Sequence, residues 1–332
     1  MNAKDAGKQQ KIEKTSLNED VIRNYFDNIS TVDAFEEHKI LGKKVVDRPS
    51  VEWQKNRKRG AKCFDHSRVR LDDPKLFVNA SSVSSSPYIL AKFPEIRDVK
   101  DNEIFWTMVF EKKASIHIIL SLEEVEILPK LFKTVATGDE KAMIRFDSIT
   151  IDTRSVELDF LKNSPKIDKY HVEVLPSGCS NSYVSEVYVH VDWPREKGPH
   201  NLHSFHQAAK FVNDSTSHAT STGIAGNVVL CSTRGTGRNA TLLALATAVK
   251  SLQEGKVPNI RSIVSDIRKD RCGAVETDHQ HGTLYLATNS FILACLPPDC
   301  DTKTIFKEVA SFGDRLAQTA RMVQGIRGSG AK

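Results

Sequence analysis

The feature that most constrains this chain is a glycine-punctuated loop at residues 230–240, which reads Leu-Cys-Ser-Thr-Arg-Gly-Thr-Gly-Arg-Asn-Ala. An apolar run at Asn227–Leu230 precedes it, and a run of helical character at Thr241–Leu252 follows it. The pattern predicts a strand, a tight turn and a helix N-terminus. The backbone N–H groups of such a turn and the positive end of the helix dipole point to one place, which suits an anion of phosphate size.

Composition and charge are those of an ordinary globular protein. The 332 residues are 39% hydrophobic and 27% charged, with a net charge of +5 that does not argue for nucleic acid. No run approaches the about 20 apolar residues that cross a bilayer, and the polar N-terminus does not resemble a signal peptide. The six cysteines lack metal-site spacing. The sequence therefore predicts a cytoplasmic protein with free thiols, no membrane insertion, no metal and no cofactor.

The remaining patterns mix helices and strands without a regular βαβ alternation, which favours a single α+β domain. The sequence predicts a disordered tail at residues 1–15 and a single domain at residues 16–300. Residues 301–332 are expected to form a C-terminal helix packed on the domain, followed by a short tail. Gly325 is expected to end that helix. Other expected elements are two short helices within Leu17–Leu41, antiparallel strands within Met143–Val174, and helices at Asn201–Val212, Ile260–Lys269 and Thr283–Leu296.

Several short blocks, in order along the chain, resemble the classical protein tyrosine phosphatases. The loop at 230–240 is similar to the signature His-Cys-x-x-Gly-x-x-Arg-Ser/Thr-Gly of that family. The resemblance extends from roughly Asn18 to Ala294 and implies the family's fold, a central twisted mixed β-sheet flanked by α-helices. The other blocks are Lys55-Asn56-Arg57 with Phe64–Val69, Val78–Ser81, Tyr88-Ile89 with Pro94, Phe105–Glu111, Trp193-Pro194, and Val275–Thr277 with Gln280.

The position of the family's catalytic nucleophile has changed. With the loop aligned on Gly235, Gly237 and Arg238, the cysteine of the family corresponds to Ser232. A serine hydroxyl is far too weak an acid to ionise as that thiol does. Cys231 lies one residue early, and a slip of one residue turns a side chain away from the phosphate. Cys231 is therefore expected to be a buried residue at the end of a strand.

Three further positions that serve chemistry or recognition in the family differ here. The general acid corresponds to Arg195, which cannot give up a proton at neutral pH. The aromatic ring that clamps phosphotyrosine corresponds to Lys58, and the glutamine that positions water corresponds to Glu276, whereas Gln280 is retained. The resemblance thus implies a degenerate site with no catalytic residues.

The groups that would hold a phosphate remain. Arg238 corresponds to the family's arginine that binds two phosphate oxygens, although a structural ion pair is the alternative role. Arg195 and Arg234 are either further phosphate ligands or solvated surface residues. The predicted phosphate- and phosphotyrosine-binding set is Ser232, Thr233, Arg234, Gly235, Thr236, Gly237, Arg238, Lys58, Arg195 and Gln280.

Three functions are compatible with this pattern. The first is a pseudophosphatase that binds a phosphotyrosine-bearing protein, such as a kinase through its activation loop, and shields it without dephosphorylation. In this respect the chain resembles the nematode pseudophosphatases of egg activation, whose partner is a dual-specificity tyrosine-regulated kinase at the cell cortex of the oocyte. The second is a weak or altered phosphatase that acts through Ser232 or Cys231. The third is a scaffold whose partner surface lies away from the pocket.

Overall fold

The computed structural model describes residues 17–44, 61–84, 86–95, 97–134, 142–158, 167–191, 193–221, 226–297 and 302–329. Within these ranges, positions 43–44, 217–221, 302 and 319–329 are described by their backbone alone. The predicted tail at 1–15 and Lys58 lie outside the described residues. Of the helices that the structure describes, none has both the length and the apolar character needed to span a membrane.

One mixed sheet of eight strands, in the order β1-β2-β8-β3-β7-β6-β5-β4, runs through the described part of the chain. The strands β2, β8, β3 and β7 are parallel to one another, and the outer pairings are antiparallel. The strands are β1 Ala80–Ser82, β2 Tyr88–Lys92, β3 Ser115–Ile119, β4 Met143–Arg145, β5 Ile149–Glu157, β6 Ile167–Pro176, β7 Tyr183–His190 and β8 Val228–Ser232.

Helices cover both faces of this sheet, so the predicted α+β class with a central mixed sheet is confirmed. They are α1 Glu19–Ile29, α2 Ala34–Lys44, α3 Val99–Lys112, α4 Leu128–Leu131, α5 Leu202–Ser221, α6 Arg238–Gln253, α7 Ile260–Asp270, α8 Asp278–Ala294 and α9 Thr302–Ser329, with a 3-10 helix at Leu122–Ile127.

The central strand β8 separates two apolar cores. Its side chains alternate between the faces of the sheet, as a strand requires. Leu230 joins the core beneath α1, α5, α6, α7 and α8, whereas Cys231 joins the core beneath α3. Ser232 therefore faces the same side as Leu230, toward the N-terminus of α6.

Several helix boundaries differ from the sequence expectations. Helix α5 continues past Val212 to Ser221, and in this extension the hydroxyls of Ser215 and Thr216 donate to the carbonyls of Phe211 and Asn213 in the same helix, so these polar side chains find partners without leaving it. Helix α8 begins at Asp278, five residues before the expected Thr283, and ends at Ala294. The reason is a capping box that Thr277 and Gln280 form at its start.

The expectation that Gly325 ends the last helix was wrong. Helix α9 runs from Thr302 to Ser329 and includes Gly325 within it. A glycine inside a helix costs only about 1 kcal/mol relative to alanine, so it ends a helix only where the following residues support another conformation.

Helix α9 packs on the rest of the domain mainly through Phe312, which is 2% exposed and lies 5.4 Å, ring to ring, from Tyr285 of α8. We expect Phe312→Ala to lower the free energy of unfolding by about 3–5 kcal/mol, the usual effect of emptying a buried aromatic site. Chemical denaturation followed by circular dichroism measures it. The matched control is Phe306→Ala on the same helix, where the ring is 54% exposed. Equal effects of the two substitutions would contradict the packing of α9.

Candidate functional site

The segments that follow the parallel strands meet at one edge of the sheet. Because β2, β8, β3 and β7 run in the same direction, their carboxyl ends lie side by side. The loop 233–237 follows β8, the 3-10 helix follows β3, and the segment 193–198 follows β7. These three segments, together with residues 275–280 before and at the start of α8, build the candidate site.

The loop after β8 requires glycine at two positions. Gly235 has a φ of 74°, and a Cβ there would lie 2.7 Å from the Arg271 guanidinium, which donates to the Gly235 carbonyl at 2.9 Å. A Cβ on Gly237 would lie 2.8 Å from the Gln280 side chain. Within the described residues, the backbone N–H groups of 233–237 donate to no protein acceptor. They stand at the N-terminus of α6, as an anion cradle requires.

Ser232, which the sequence resemblance aligns with the family's nucleophile, is buried and hydrogen-bonded. Its Oγ donates to Asn239 Oδ1 at 3.1 Å. Asn239 is held in place because its Nδ2 donates to the carbonyls of Ala91 and Leu230, each at 3.2 Å. The partner of the hydroxyl is thus an amide oxygen, which is not a base that could take its proton.

Cys231 lies entirely in the core beneath α3, on the opposite face of β8 from Ser232. Burial raises the pKa of the Cys231 thiol, and the positive charges of Lys92, Arg271 and Arg238 offset that effect only in part. The thiol therefore stays protonated at neutral pH, and thiols react as thiolates.

Arg238 is buried at the start of α6 and makes three contacts. Its Nη1 donates to Glu124 Oε2 at 2.7 Å and to the Trp193 carbonyl at 3.0 Å, and its Nη2 donates to Thr233 Oγ1 at 2.6 Å. The guanidinium thus joins the loop 233–237 to the segments that follow β3 and β7.

Glu124 is a buried carboxylate at this site that sequence reasoning missed. It is 3% exposed, and besides Arg238 it accepts from Arg195 Nε at 2.8 Å, from Thr233 Oγ1 at 2.9 Å and from the Ser121 backbone N–H at 2.9 Å. Burial opposes its ionisation, but the hydrogen bonds from Arg238, Ser121 and Thr233 outweigh burial and lower the Glu124 pKa to about 2. The sequence signal was the spacing Ser121-x-x-Glu124 directly after a strand, which is typical of a capping box.

The two exposed arginines of the site also contact carboxylates. Arg234 Nη1 lies 2.7 Å from Glu276 Oε1 and 2.8 Å from Glu196 Oε1, and Arg195 contacts Glu124 as described. The hydrogen bond to Glu276 is the main cause that raises the already high Arg234 pKa. Glu196 belongs to the segment after β7 and was not among the predicted site residues.

Glu276 is placed at the site by the unusual backbone conformation of the residue before it. The preceding residue, Val275, has a φ of 56°, which is a true outlier for a β-branched side chain. Two hydrogen bonds of 2.9 Å hold it, from its N–H to the Thr236 carbonyl and from Arg268 Nη2 to its own carbonyl. Gln280 Oε1 accepts from the Glu276 N–H at 3.0 Å, which fixes the turn from the opposite side.

Most of the predicted phosphate-binding residues lie around one small cavity of about 90 Å³. Thr236 and Gly235 belong to the same loop but do not line the cavity, and Lys58 lies outside the described residues. The lining residues are Arg195, Glu196, Ser232, Thr233, Arg234, Gly237, Arg238, Glu276 and Gln280.

The sheet order and this loop define a domain of the tyrosine-phosphatase type. The family model described as protein-tyrosine phosphatase matches residues 52–290, which is most of the chain. The chain therefore belongs to the protein-tyrosine phosphatase family.

Individual relatives agree with this membership. A putative tyrosine-protein phosphatase of Caenorhabditis elegans is 29% identical over 223 residues, which cover 64% of this chain and 50% of that protein. The tyrosine-protein phosphatase non-receptor type 2 of Homo sapiens is 25% identical over 261 residues, 77% of this chain and 60% of that protein. The chain spans about half the length of each of the first three curated relatives that it matches.

A solved structure of PTPN18, from work on its fingerprint on distinct HER2 tyrosine phosphorylation sites, has the same fold. It superposes with a TM-score of 0.63 and covers 82% of this chain and 99% of that chain, at 16% sequence identity.

The Glu124 pKa gives a pH prediction. A carboxyl whose pKa falls from 4.5 to about 2 on folding stabilises the folded state above pH 4.5, and this stabilisation is lost as the pH falls toward 2. It amounts to roughly 3 kcal/mol. We expect Glu124→Gln to be less stable than the parent chain at pH 7 and to lose less stability than the parent between pH 4.5 and 3.

Denaturant unfolding at a series of pH values measures this effect. The exposed neighbour Glu123 provides the matched control, Glu123→Gln, which should follow the parent chain at every pH. If Glu124→Gln lost as much free energy of unfolding as the parent chain between pH 4.5 and 3, the buried ion pair would not contribute to stability.

Proposed function

We propose that this chain is a catalytically inactive tyrosine-phosphatase-like domain that binds a phosphotyrosine-bearing protein and shields the phosphate without removing it. The observation that carries the proposal is the hydrogen bond from Ser232 Oγ to Asn239 Oδ1. It places an un-ionised hydroxyl, bonded to a neutral amide, at the position from which a nucleophile would attack.

The surroundings of the loop support the loss of chemistry. A hydroxyl nucleophile needs a base with a pKa near the working pH. The carboxylate nearest the loop hydroxyls, Glu124, accepts from Thr233 but has a pKa of about 2, which makes it a very weak base. The residue that the resemblance aligns with the general acid is Arg195, and a guanidinium does not release a proton at neutral pH.

The same loop supports binding. The backbone N–H groups of 233–237 lack acceptors within the described residues, and Arg238 lies beside them. Donors of this kind at a helix N-terminus bind phosphate without any chemistry. Gln280, the glutamine of the family pattern that this chain retains, lies at the cavity wall.

The partner in this proposal is a tyrosine-phosphorylated protein, such as a dual-specificity tyrosine-regulated kinase bound through its activation loop. Two of the curated relatives are putative tyrosine-protein phosphatases of Caenorhabditis elegans, at 29% and 27% identity, which supports a place among the nematode proteins. We further propose that the protein acts in the cytoplasm, at the cell cortex of the oocyte.

A scaffold that uses another surface is the second candidate, and one observation favours it. Each arginine that lines the cavity already contacts a carboxylate of the chain itself: Arg238 and Arg195 contact Glu124, and Arg234 contacts Glu196 and Glu276. A phosphate must compete with these internal partners, whereas a pocket-independent surface is unaffected by them.

The loss of chemistry has a direct test. We expect hydrolysis of p-nitrophenyl phosphate by the purified chain to equal the rate without protein, because nucleophile and acid are both missing. Ser232→Cys should stay at that background, since the new thiol would face Asn239 and still lack a proton donor at 195. Turnover that depends on Ser232 or Cys231 would establish the alternative, a weak or altered phosphatase.

Binding is tested with a kinase activation-loop peptide and its unphosphorylated twin, measured by fluorescence anisotropy. We expect the phosphorylated peptide to bind at least about tenfold more tightly, and Arg238→Lys to remove most of that difference, because a lysine keeps the charge but loses the bidentate geometry. Exposed Arg70→Lys is the matched control. Equal affinities of the two peptides would exclude recognition of the phosphate in the pocket and would favour the second candidate, a scaffold that binds its partner through another surface.

A further inference from the structure

Two histidines lie on neighbouring strands beneath helix α5, and the function proposed above does not use them. His117 of β3 and His190 of β7 are 0% and 5% exposed, and their nearly parallel rings lie 5.3 Å apart, centroid to centroid. In the pairing of the strands, Ile119 of β3 lies opposite both His190 and Ser232. The histidine pair therefore stands on the face of the sheet that carries Ser232, in the layer between the sheet and α5.

The hydrogen bonds of the two rings form a chain whose direction is fixed by one hydroxyl. Ser215 Oγ of α5 donates to the Phe211 carbonyl at 2.8 Å, so its oxygen accepts from His117 Nε2 at 3.3 Å. A neutral imidazole has one N–H. His117 Nδ1 is therefore the acceptor for the N–H at His190 Nε2, at 3.0 Å. The remaining nitrogen, His190 Nδ1, is buried and has no hydrogen-bond partner among the described residues.

This chain of hydrogen bonds has no place for another proton. If His117 were charged, both of its nitrogens would donate, and His190 would have to carry its single N–H at Nδ1, where the described residues offer no acceptor. If His190 were charged, the N–H at its Nδ1 would again lack an acceptor. Either proton leaves a buried charge together with a buried unpaired N–H, and both oppose the folded state.

The ionisable groups of the packed elements do not offset this effect. They are Tyr188 and Glu186 of β7, Lys169 and His171 of β6, and Lys210 and Asp214 of α5. Tyr188 stacks on His117 at 4.8 Å, but its hydroxyl lies 3.2 Å from Glu186, which pairs with Lys169 at 2.7 Å and lies 3.6 Å from the β6 histidine. The two charged residues of α5 are exposed. Among the described residues, no carboxylate contacts either buried ring.

Burial therefore acts on both rings without an opposing charge. It lowers the pKa of His190 to about 3, and it lowers the pKa of His117 well below its usual value, with the neighbouring His190 as the second cause. In the unfolded chain both pKa values return to about 6.5. The folded state thus stays neutral where the unfolded chain takes up protons. The stability that the pair contributes is complete above pH 6.5 and falls as the pH drops from 6.5 toward 3.

We propose that Ser215, His117 and His190 form a latch that holds α5 on β3 and β7 while both imidazoles are neutral and that releases the helix in mildly acidic solution. Protons favour the released state because its two rings are open to water. Between pH 7.5 and 5.5, each exposed ring with a pKa of about 6.5 favours release about tenfold, so the pair favours it about hundredfold. The latch needs no phosphate and no partner, so it does not rest on the proposed function.

Release of α5 also withdraws a support from the candidate site. Phe205 of α5 lies 4.9 Å, ring to ring, from Trp193, whose carbonyl accepts from Arg238 at 3.0 Å. The Trp193 N–H donates to the Leu120 carbonyl at 3.1 Å, and the Leu120 N–H donates to the His190 carbonyl at 2.9 Å. The backbone of His190 is thus two hydrogen bonds away from the residue that Arg238 contacts. Mild acid is therefore expected to loosen the site from the side of α5.

Hydrogen exchange on the full chain, measured by mass spectrometry and corrected for the intrinsic pH dependence of amide exchange, tests the latch. We expect the amides of 205–216 to exchange at least about hundredfold faster at pH 5.5 than at pH 7.5. In His117→Gln and in His190→Gln this ratio should fall about tenfold, because one titrating ring is lost. The matched control is His203→Gln, an exposed histidine of the same helix, which should keep the ratio of the parent chain.

The ratio within each variant separates the latch from a merely structural role. A substitution that only weakens packing speeds exchange equally at both pH values and leaves the ratio unchanged. If His117→Gln and His190→Gln both keep the ratio of the parent chain, the proposal is overturned.

A measurement on the parent chain keeps the test sound if these variants fail to fold. In nitrogen-15 NMR spectra of the histidine side chains, a scalar coupling between two imidazole nitrogens identifies the pair, because within the described residues only His117 and His190 share a hydrogen bond between rings. We expect the coupling to persist in the folded chain at pH 5.5, with both rings neutral and protonated at Nε2. Loss of the coupling with a midpoint near pH 6.5, while the amides of 205–216 stay protected, would show that the folded chain accepts the proton and that the latch does not exist.

Discussion

The buried contact between Arg238 and Glu124 is the interaction on which the site depends. It joins the first residue of α6 to the 3-10 helix after β3, across 114 positions of sequence. Both side chains are almost fully buried, at 5% and 3% exposure, so the Arg238 guanidinium would be a buried charge without its carboxylate partner if Glu124 were removed. Through its other contacts the pair also orients Thr233, Arg195 and the carbonyl of Trp193.

The fold could be predicted from the sequence to a large extent, because its signals are local. The run into β8, the loop glycines and the apolar run of α6 together define a strand, a turn and a buried helix, and the alternation along β8 explains why Ser232 and Cys231 face opposite sides. The first and last residues of the helices were harder to predict than the presence of the helices. The start of α8 depends on the capping box of Thr277 and Gln280, which the helical periodicity alone does not contain.

The site was predictable only in part, because its pairings are not local. The alignment of the loop identified Arg238 and Ser232, and they do line the same cavity. Glu124 could not be placed, since nothing in the spacing of Ser121 and Glu124 indicates that the carboxylate points toward a loop that begins 109 residues later. The partners of Arg234 were hidden for a similar reason, since Glu276 reaches it only through the strained backbone of Val275.

The substitutions around the cavity are electrostatically related. Arg195, Arg234 and Arg238 stand against Glu124, Glu196 and Glu276, so the set is neutral overall. With an aspartate at 195 and a glutamine at 276, as the family pattern has them, the same set would carry one net negative charge. The two differences together therefore make the surroundings of the loop amides less repulsive to an anion. The proposed phosphotyrosine binding depends on this balance, because each of the three arginines already pairs with a carboxylate of the chain itself.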